Sequence, residues 1–238
     1  MIFNCELLEL IDNFLDAIFP LPCNFGSTIG CGADDDPVIS VIKENLWYVD
    51  PYVTVDYGAS KLVIMSPKLN NLVIKIPFNG YYLSEDEDNE WIDFEAAPGP
   101  DETDYCFAEW CKYQDLEALN LDCFVSKIYF YKEYCGTRIF LQEFAIPMNV
   151  DIDAREPSQK SKTIAKTWKD EGRFRGCKEI NVEWIACCLD TYGKAKVEKF
   201  LNYCKTVDMD ILADAHDANF GYRLNGTPCI FDFSGFSD

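Results

Sequence analysis

The segment 214-DAHDANFGYRLNGTPCIFDFSGF-236 decides how this chain is read. Asp214, Asn219 and Asp232 stand five and thirteen residues apart within it, around two short strand-like runs that flank the turn "RLNGTP". Asp214 and Asn219 border a tight turn of small residues, and Asp232 follows the apolar run "PCIF". A hairpin here brings the three side chains toward one point. Oxygen donors converging at a strand end suit a hard cation such as Mg2+, which takes carboxylates, carbonyls and substrate phosphates.

Upstream, helical periodicity is expected near residues 179 to 190 and 192 to 206, reached from Pro147 by a polar, Lys-rich connection. The linker near 148 to 160 is the expected lobe boundary. Earlier still, "YVTVDYGASKLVIMSP" and "NNLVIKIPF" are Val/Ile-rich runs joined by "SPKLNN", which predicts a hairpin or a three-strand unit. A helix is predicted in "DETDYCFAEWCKYQDLEAL", with Phe107, Trp110, Tyr113 and Leu116 at helical spacing. Two strands follow, "CFVSKIYFYKEY" and "TRIFLQEFAIP", turning at Cys135 and Gly136. The order β, β, helix, β, β describes a small antiparallel sheet with one helix against it. The start of the chain reads as an amphipathic helix, a loop and a short second helix, an extension ahead of the sheet.

Charge and cysteine narrow the function classes. The 238 residues carry a formal charge of -20, which argues against sequence-independent binding to nucleic acid or to an anionic membrane, since both need clustered Lys and Arg. Ten of the acids fall in residues 85 to 104, which hold no Lys or Arg, so much of that charge belongs to one solvated insertion. Twelve cysteines without a CxxC pair, and a single His, build no zinc-finger spacing. Most lie in apolar or amphipathic runs, where a free Cys behaves as a small hydrophobe, so reduced thiols and a cytoplasmic setting are expected. The acids at Glu6, Glu9, Asp12 and Asp16 set the N-terminal helix apart from a signal peptide. No run is long and apolar enough for a membrane span.

The pattern Asp214, Asn219, Asp232 in "DFSG" resembles the catalytic loop and DFG-type motif of the protein-kinase-like phosphotransferases. "DAHDAN", with His216 two residues after the Asp, looks more like the aminoglycoside-phosphotransferase branch than typical protein kinases. The "D.H..N.G" to "DFSGF" ending is also similar to compact kinase-like proteins of phage genomes. Kinases further use a strand Lys and a helix Glu. Lys75 in "LVIKIP" and Glu109 on the helix after the acidic insertion match them, with Glu95 and Glu117 as rival partners. The phosphate loop is weaker: "YGASK" offers one Gly, with backbone near Gly58 and Ser60 to cradle a phosphate. The stretch from Glu143 to Ala145 matches the hinge by position, where backbone groups meet an adenine edge.

The resemblance implies an α+β, two-lobed protein-kinase-like fold covering residues 46 to 236. Residues 1 to 45 form a helical extension, and 46 to 147 an N-lobe with an antiparallel sheet, one helix and the acidic insertion. Residues 148 to 238 form a reduced, mostly helical C-lobe ending just after the DFG-type motif. It implies ATP and Mg2+ as cofactors and transfer of the γ-phosphate to a hydroxyl of a protein or small molecule. Asp214 would accept the hydroxyl proton, Asn219 and Asp232 would bind Mg2+, and Lys75, paired with Glu109, would steady the α and β phosphates. His216 would shape the catalytic loop. The "DFSGF" ending leaves no activation segment, so acceptor binding is expected from 148 to 206, from the N-terminal extension or from another chain. Two other classes compete: a catalytically weak or inactive kinase-like module that holds nucleotide or recruits a partner, and an acidic interaction protein, against which the clustering of the acids in one loop counts.

Overall fold

The computed structural model describes residues 4–19, 29–30, 37–57, 61–77, 80–81, 104–148, 150, 156–173, 181–206 and 219–233. The protein is α+β, with six α-helices among the described residues, and it divides into two compact units. The first takes residues 1–108 and 129–142, the second residues 109–128 and 143–238. The division therefore falls inside one helix and two strands, where a boundary in the linker near 148 to 160 was expected.

In the first unit, helices α1 (Cys5–Ile18) and α2 (Pro37–Val49) lead into strands β2 (Thr54–Tyr57), β3 (Lys61–Met65) and β4 (Leu72–Pro77); a short β1 (Ile29–Gly30) pairs in parallel with β5 (Gly80–Tyr81). After helix α3 (Tyr105–Ala118) come β6 (Ile128–Tyr134) and β7 (Thr137–Glu143), and the main sheet runs β2-β3-β4-β7-β6. Its turns obey local chemistry. Ser66 accepts the Lys68 N–H in the first, and Asn70 and Asn71 take φ of 51° and 66°, the left-handed region that Asn tolerates. Cys135 and Gly136 take φ of 49° and 82°, as a two-residue hairpin loop matched to strand twist requires.

The face of the sheet bearing Leu62, Ile64, Ile74, Ile76, Ile139 and Leu141 is covered by α1 and α2. In α1, Leu7, Ile11, Phe14, Leu15 and Ile18 form one buried stripe, and Asn4 caps the helix by accepting the Leu7 N–H at 2.8 Å. Five such side chains, at about 2 kcal/mol each, stabilise the docking by an upper bound of roughly 10 kcal/mol. Two of the acids that interrupt the stripe have strand partners: Asp12 accepts from Tyr131 Oη at 2.8 Å and from the Lys132 ammonium, and Asp16 accepts from Tyr134 Oη. The expected extension is thus half of the core of this unit. Periodicity shows that α1 has an apolar face; only the sheet shows what covers it.

The second unit holds β8 (Ala145–Pro147), β9 (Phe220–Arg223) and β10 (Pro228–Ile230) in the order β10-β9-β8, with helices α4 (Gln159–Asp170), α5 (Val182–Tyr192) and α6 (Lys194–Thr206). Helix α4 lies within what reads in sequence as a polar connection. It is hydrophilic, yet it buries Ser161, Ala165 and Trp168 at helical spacing. Asp190 of α5 fastens its start, accepting from Ser158 Oγ at 2.8 Å and Ser161 Oγ at 2.7 Å. The expected strand 123 to 134 begins instead as a 3-10 turn over Asp122–Phe124, whose Phe124 stacks on Phe200 of α6 with ring centroids 4.3 Å apart. The run 137 to 147 breaks at Phe144, and its end joins β9.

Candidate functional site

The hairpin predicted from the quoted segment is present. β9 and β10 pair antiparallel with Ile230 opposite Phe220, and the Phe231 N–H donates to Asn219 O at 3.1 Å. Asn219 therefore opens β9 where Asp232 lies just beyond the end of β10. Thirteen residues apart in sequence, they come within one strand position of each other. Asn219 is buried and Asp232 half-buried.

The middle strand shows why the motif carries a glycine two residues after the Asn. A Cβ on Gly221 would lie 2.4 Å from Ile146 O and 3.0 Å from its carbonyl carbon, both backbone atoms of β8. Only hydrogen fits there. β9 bonds alternately to its two neighbours: Arg223 gives its N–H to Thr227 O at 2.9 Å, and Met148 gives its N–H to Phe220 O at 2.9 Å. With Ala145 opposite Arg223, alternation turns the Ala145 N–H and C=O away from β9, toward the outer side of β8. Glu143 differs: its N–H donates to Lys127 O at 2.8 Å, and its carboxylate accepts from Arg223 Nε at 2.8 Å.

Helix α3 supplies the groups on the far side of Asp232. Glu109, fully buried, accepts the Phe233 N–H at 3.1 Å, and Lys112, 3% exposed, donates from Nζ to Phe233 O at 3.2 Å. The buried stripe of α3 is Cys106, Glu109, Lys112, Tyr113 and Leu116, while Phe107 and Trp110, expected in it, are half-buried. Apolar spacing missed this rotation because hydrogen bonds to a distant backbone segment cover two charged residues. The helix starts at Asp104, last of the acidic stretch, which accepts the Phe107 N–H at 2.9 Å and lies 3.5 Å from Arg138. Burial pushes the Asp104 carboxyl up from its ordinary range. Of the rival partners for the strand Lys, Glu117 is exposed, with its carboxylate 3.4 Å from Tyr113 Oη, and Glu95 lies outside the described residues.

Lys75 stands on β4 in the first unit, opposite Val63 and only 3% exposed. Its neighbours Ile74 and Ile76 face α1 and α2, so by alternation Lys75 emerges on the other side of the sheet. On β7, Leu141 faces the helices, and Gln142 by the same rule shares the side of Lys75. Gln142 is 1% exposed, and its amide nitrogen has no hydrogen-bond partner among the described residues. Nothing in the sequence singles out Gln142 or Lys112; both read as ordinary polar positions in amphipathic runs.

Asp214, His216, Gly58 and Ser60 lie outside the described residues. Among the described residues no group of three or more His, Cys, Asp or Glu could hold a metal ion. Asn219 and Asp232 by themselves supply two oxygen donors, a fit for a cation that keeps water and phosphate oxygens as its other ligands. Also among the described residues, no helix is long and apolar enough to cross a membrane. No family model matches the chain, and neither does any curated protein or solved structure.

Proposed function

We propose that this protein is an ATP-dependent phosphotransferase of the protein-kinase-like type, moving the γ-phosphate of ATP to a hydroxyl of a protein or small molecule. The observation that carries the reading is the hairpin end: Asn219 and Asp232 adjoin across β9 and β10, and the residue after Asp232 is held by Glu109, the acid expected as the partner of Lys75. A bound Mg2+ would neutralise charge on the β and γ phosphates, with Asn219 and Asp232 as its protein ligands. Lys75 steadies the α and β phosphates, for which a buried ammonium in an apolar strand is suited. Ala145 offers its outward N–H and C=O to the adenine edge, a task for which the engaged N–H of Glu143 is unsuited. Asp214 accepts the proton of the attacking hydroxyl, His216 shapes its loop, and the backbone near Gly58 and Ser60 cradles phosphate. Catalysis of this kind is mostly positioning and charge neutralisation.

Thermal stabilisation by ATP with Mg2+, lost in Asp232→Asn, tests the nucleotide site. Transfer of labelled γ-phosphate across a screen of protein and small-molecule hydroxyl acceptors tests the chemistry. Transfer lost in Asp214→Asn with nucleotide binding intact supports the proposal. Stabilisation without transfer makes the chain a kinase-like binding module, and absence of both removes the reading.

A further inference from the structure

Lys112 is a buried ammonium that the proposed chemistry does not use. Asp232 lies between two pinned stretches of backbone. On its N-terminal side, Ser126 N–H donates to Ile230 O at 2.7 Å and Phe231 N–H to Asn219 O at 3.1 Å. On its C-terminal side, the Phe233 N–H belongs to the peptide plane shared with Asp232, and Glu109 accepts it at 3.1 Å. The Phe233 C=O belongs to the next plane, and Lys112 donates to it at 3.2 Å. Glu109 and Lys112 stand three residues apart on one face of α3, so a single rigid element fixes two successive planes. The Phe233 side chain is itself fully buried.

Burying an ammonium and a carboxylate on one helix face is costly unless both are satisfied, and an apolar pair of similar volume would hold α3 to its neighbours at lower desolvation cost. What an apolar pair could not do is orient peptide planes. Resting on the function proposed above, we propose that Lys112 is a positioning residue. Together with Glu109 it fixes the backbone at Phe233 and so the peptide plane that Asp232 shares with it, and hence the direction of the carboxylate, for a divalent cation bound with a nucleoside triphosphate. Partners that orient a metal ligand act at this remove, and their loss typically weakens metal binding roughly 10- to 100-fold.

The test uses the full chain with Mn2+ and a non-hydrolysable ATP analogue, reading free Mn2+ by electron paramagnetic resonance. Asp232→Asn is subtracted to remove diffuse binding to the acidic surface. Lys112→Met is expected to weaken Asp232-dependent Mn2+ binding by about 10-fold or more, and Lys112→Arg, which still donates, to restore it to within a few-fold. Leu116→Ala, an apolar loss one turn along α3, lowers the melting temperature and leaves Mn2+ affinity unchanged. An unchanged affinity in folded Lys112→Met overturns the inference and leaves the proposed function standing, as does an equal loss of affinity in Leu116→Ala. A wild-type chain without Asp232-dependent binding overturns both. If Lys112→Met does not fold, Lys112→Gln, with its shorter reach, takes its place, and wild-type affinity there overturns the inference.

Discussion

Replacing Arg223 by Met should destabilise the second unit by about 3 to 4 kcal/mol. The guanidinium donates to Val125 O at 2.6 Å, Glu143 Oε2 at 2.8 Å, Cys123 O at 3.1 Å and Tyr192 Oη at 3.3 Å. It thereby ties the end of β9 to the end of β7, to the 3-10 turn and to the end of α5. Met replaces much of the stem but none of the donors. Val125 is fully buried, so its carbonyl loses its partner out of reach of water, at about 1 to 3 kcal/mol. The half-buried Cys123 carbonyl adds about 1 kcal/mol. Glu143, 36% exposed, rehydrates and contributes about 1 kcal/mol or less. Urea unfolding followed by tryptophan fluorescence reads this unit through Trp184, fully buried on α5 with its ring centroid 4.9 Å from Phe220. Expressed as melting temperature, the loss is roughly 6 to 16 °C for a chain of this size. Arg223→Lys should recover only part of it, because a point charge cannot reproduce the fork of donors. A loss below about 1 kcal/mol for Arg223→Met would refute the assignment of Arg223 as the tie of this unit.

Three further outcomes are expected. Gly221→Ala forces backbone apart at Ile146, so it should lower the melting temperature of the second unit and, on the proposed function, weaken nucleotide binding by shifting Asn219; full retention of both contradicts the close approach. Gln142→Leu removes an amide nitrogen without a partner among the described residues and should leave stability equal or higher by about 1 kcal/mol while weakening binding of the ATP analogue, measured by calorimetry beside chemical denaturation. Asp50, covered but shallow beneath the half-exposed Lys68, is pushed up by burial, yet hydrogen bonds from Ser66 Oγ and Lys68 hold its carboxyl net below the ordinary value of 3.8. A depressed carboxyl stabilises above its unfolded value and loses that contribution as pH falls through the lower folded value. Asp50→Asn should therefore lower stability at neutral pH and flatten the acid limb of a pH-stability curve below about pH 4. An unchanged acid limb counts against the Ser66 and Lys68 contacts as the source of the depression.

Local chemistry along the chain was enough to determine the turns, most strand and helix types and the end of the motif hairpin. Asn70, Asn71 and Gly136 are residues that tolerate the left-handed region, and Asn219 and Asp232 are separated by two strands and a turn that return the chain on itself. These features depend on neighbours within thirteen residues, which is why they are legible in one dimension.

Tertiary structure alone decided the covering of surfaces and the satisfaction of buried polar groups. Helix α1 has an apolar stripe in any reading, but its place on the sheet face of Leu62 and Ile74 depends on strands that begin some forty residues later. Hydrophilic α4 became a helix of the second unit because Asp190, more than twenty residues on, accepts from both of its serines. Glu109 and Lys112 turned inward against the apolar pattern of α3 because Phe233, more than one hundred residues away, presents an N–H and a C=O to them. A hydrogen bond between distant segments leaves no periodic trace in sequence, yet it can outweigh the cost of burying charge, and so it sets which face of a helix points inward.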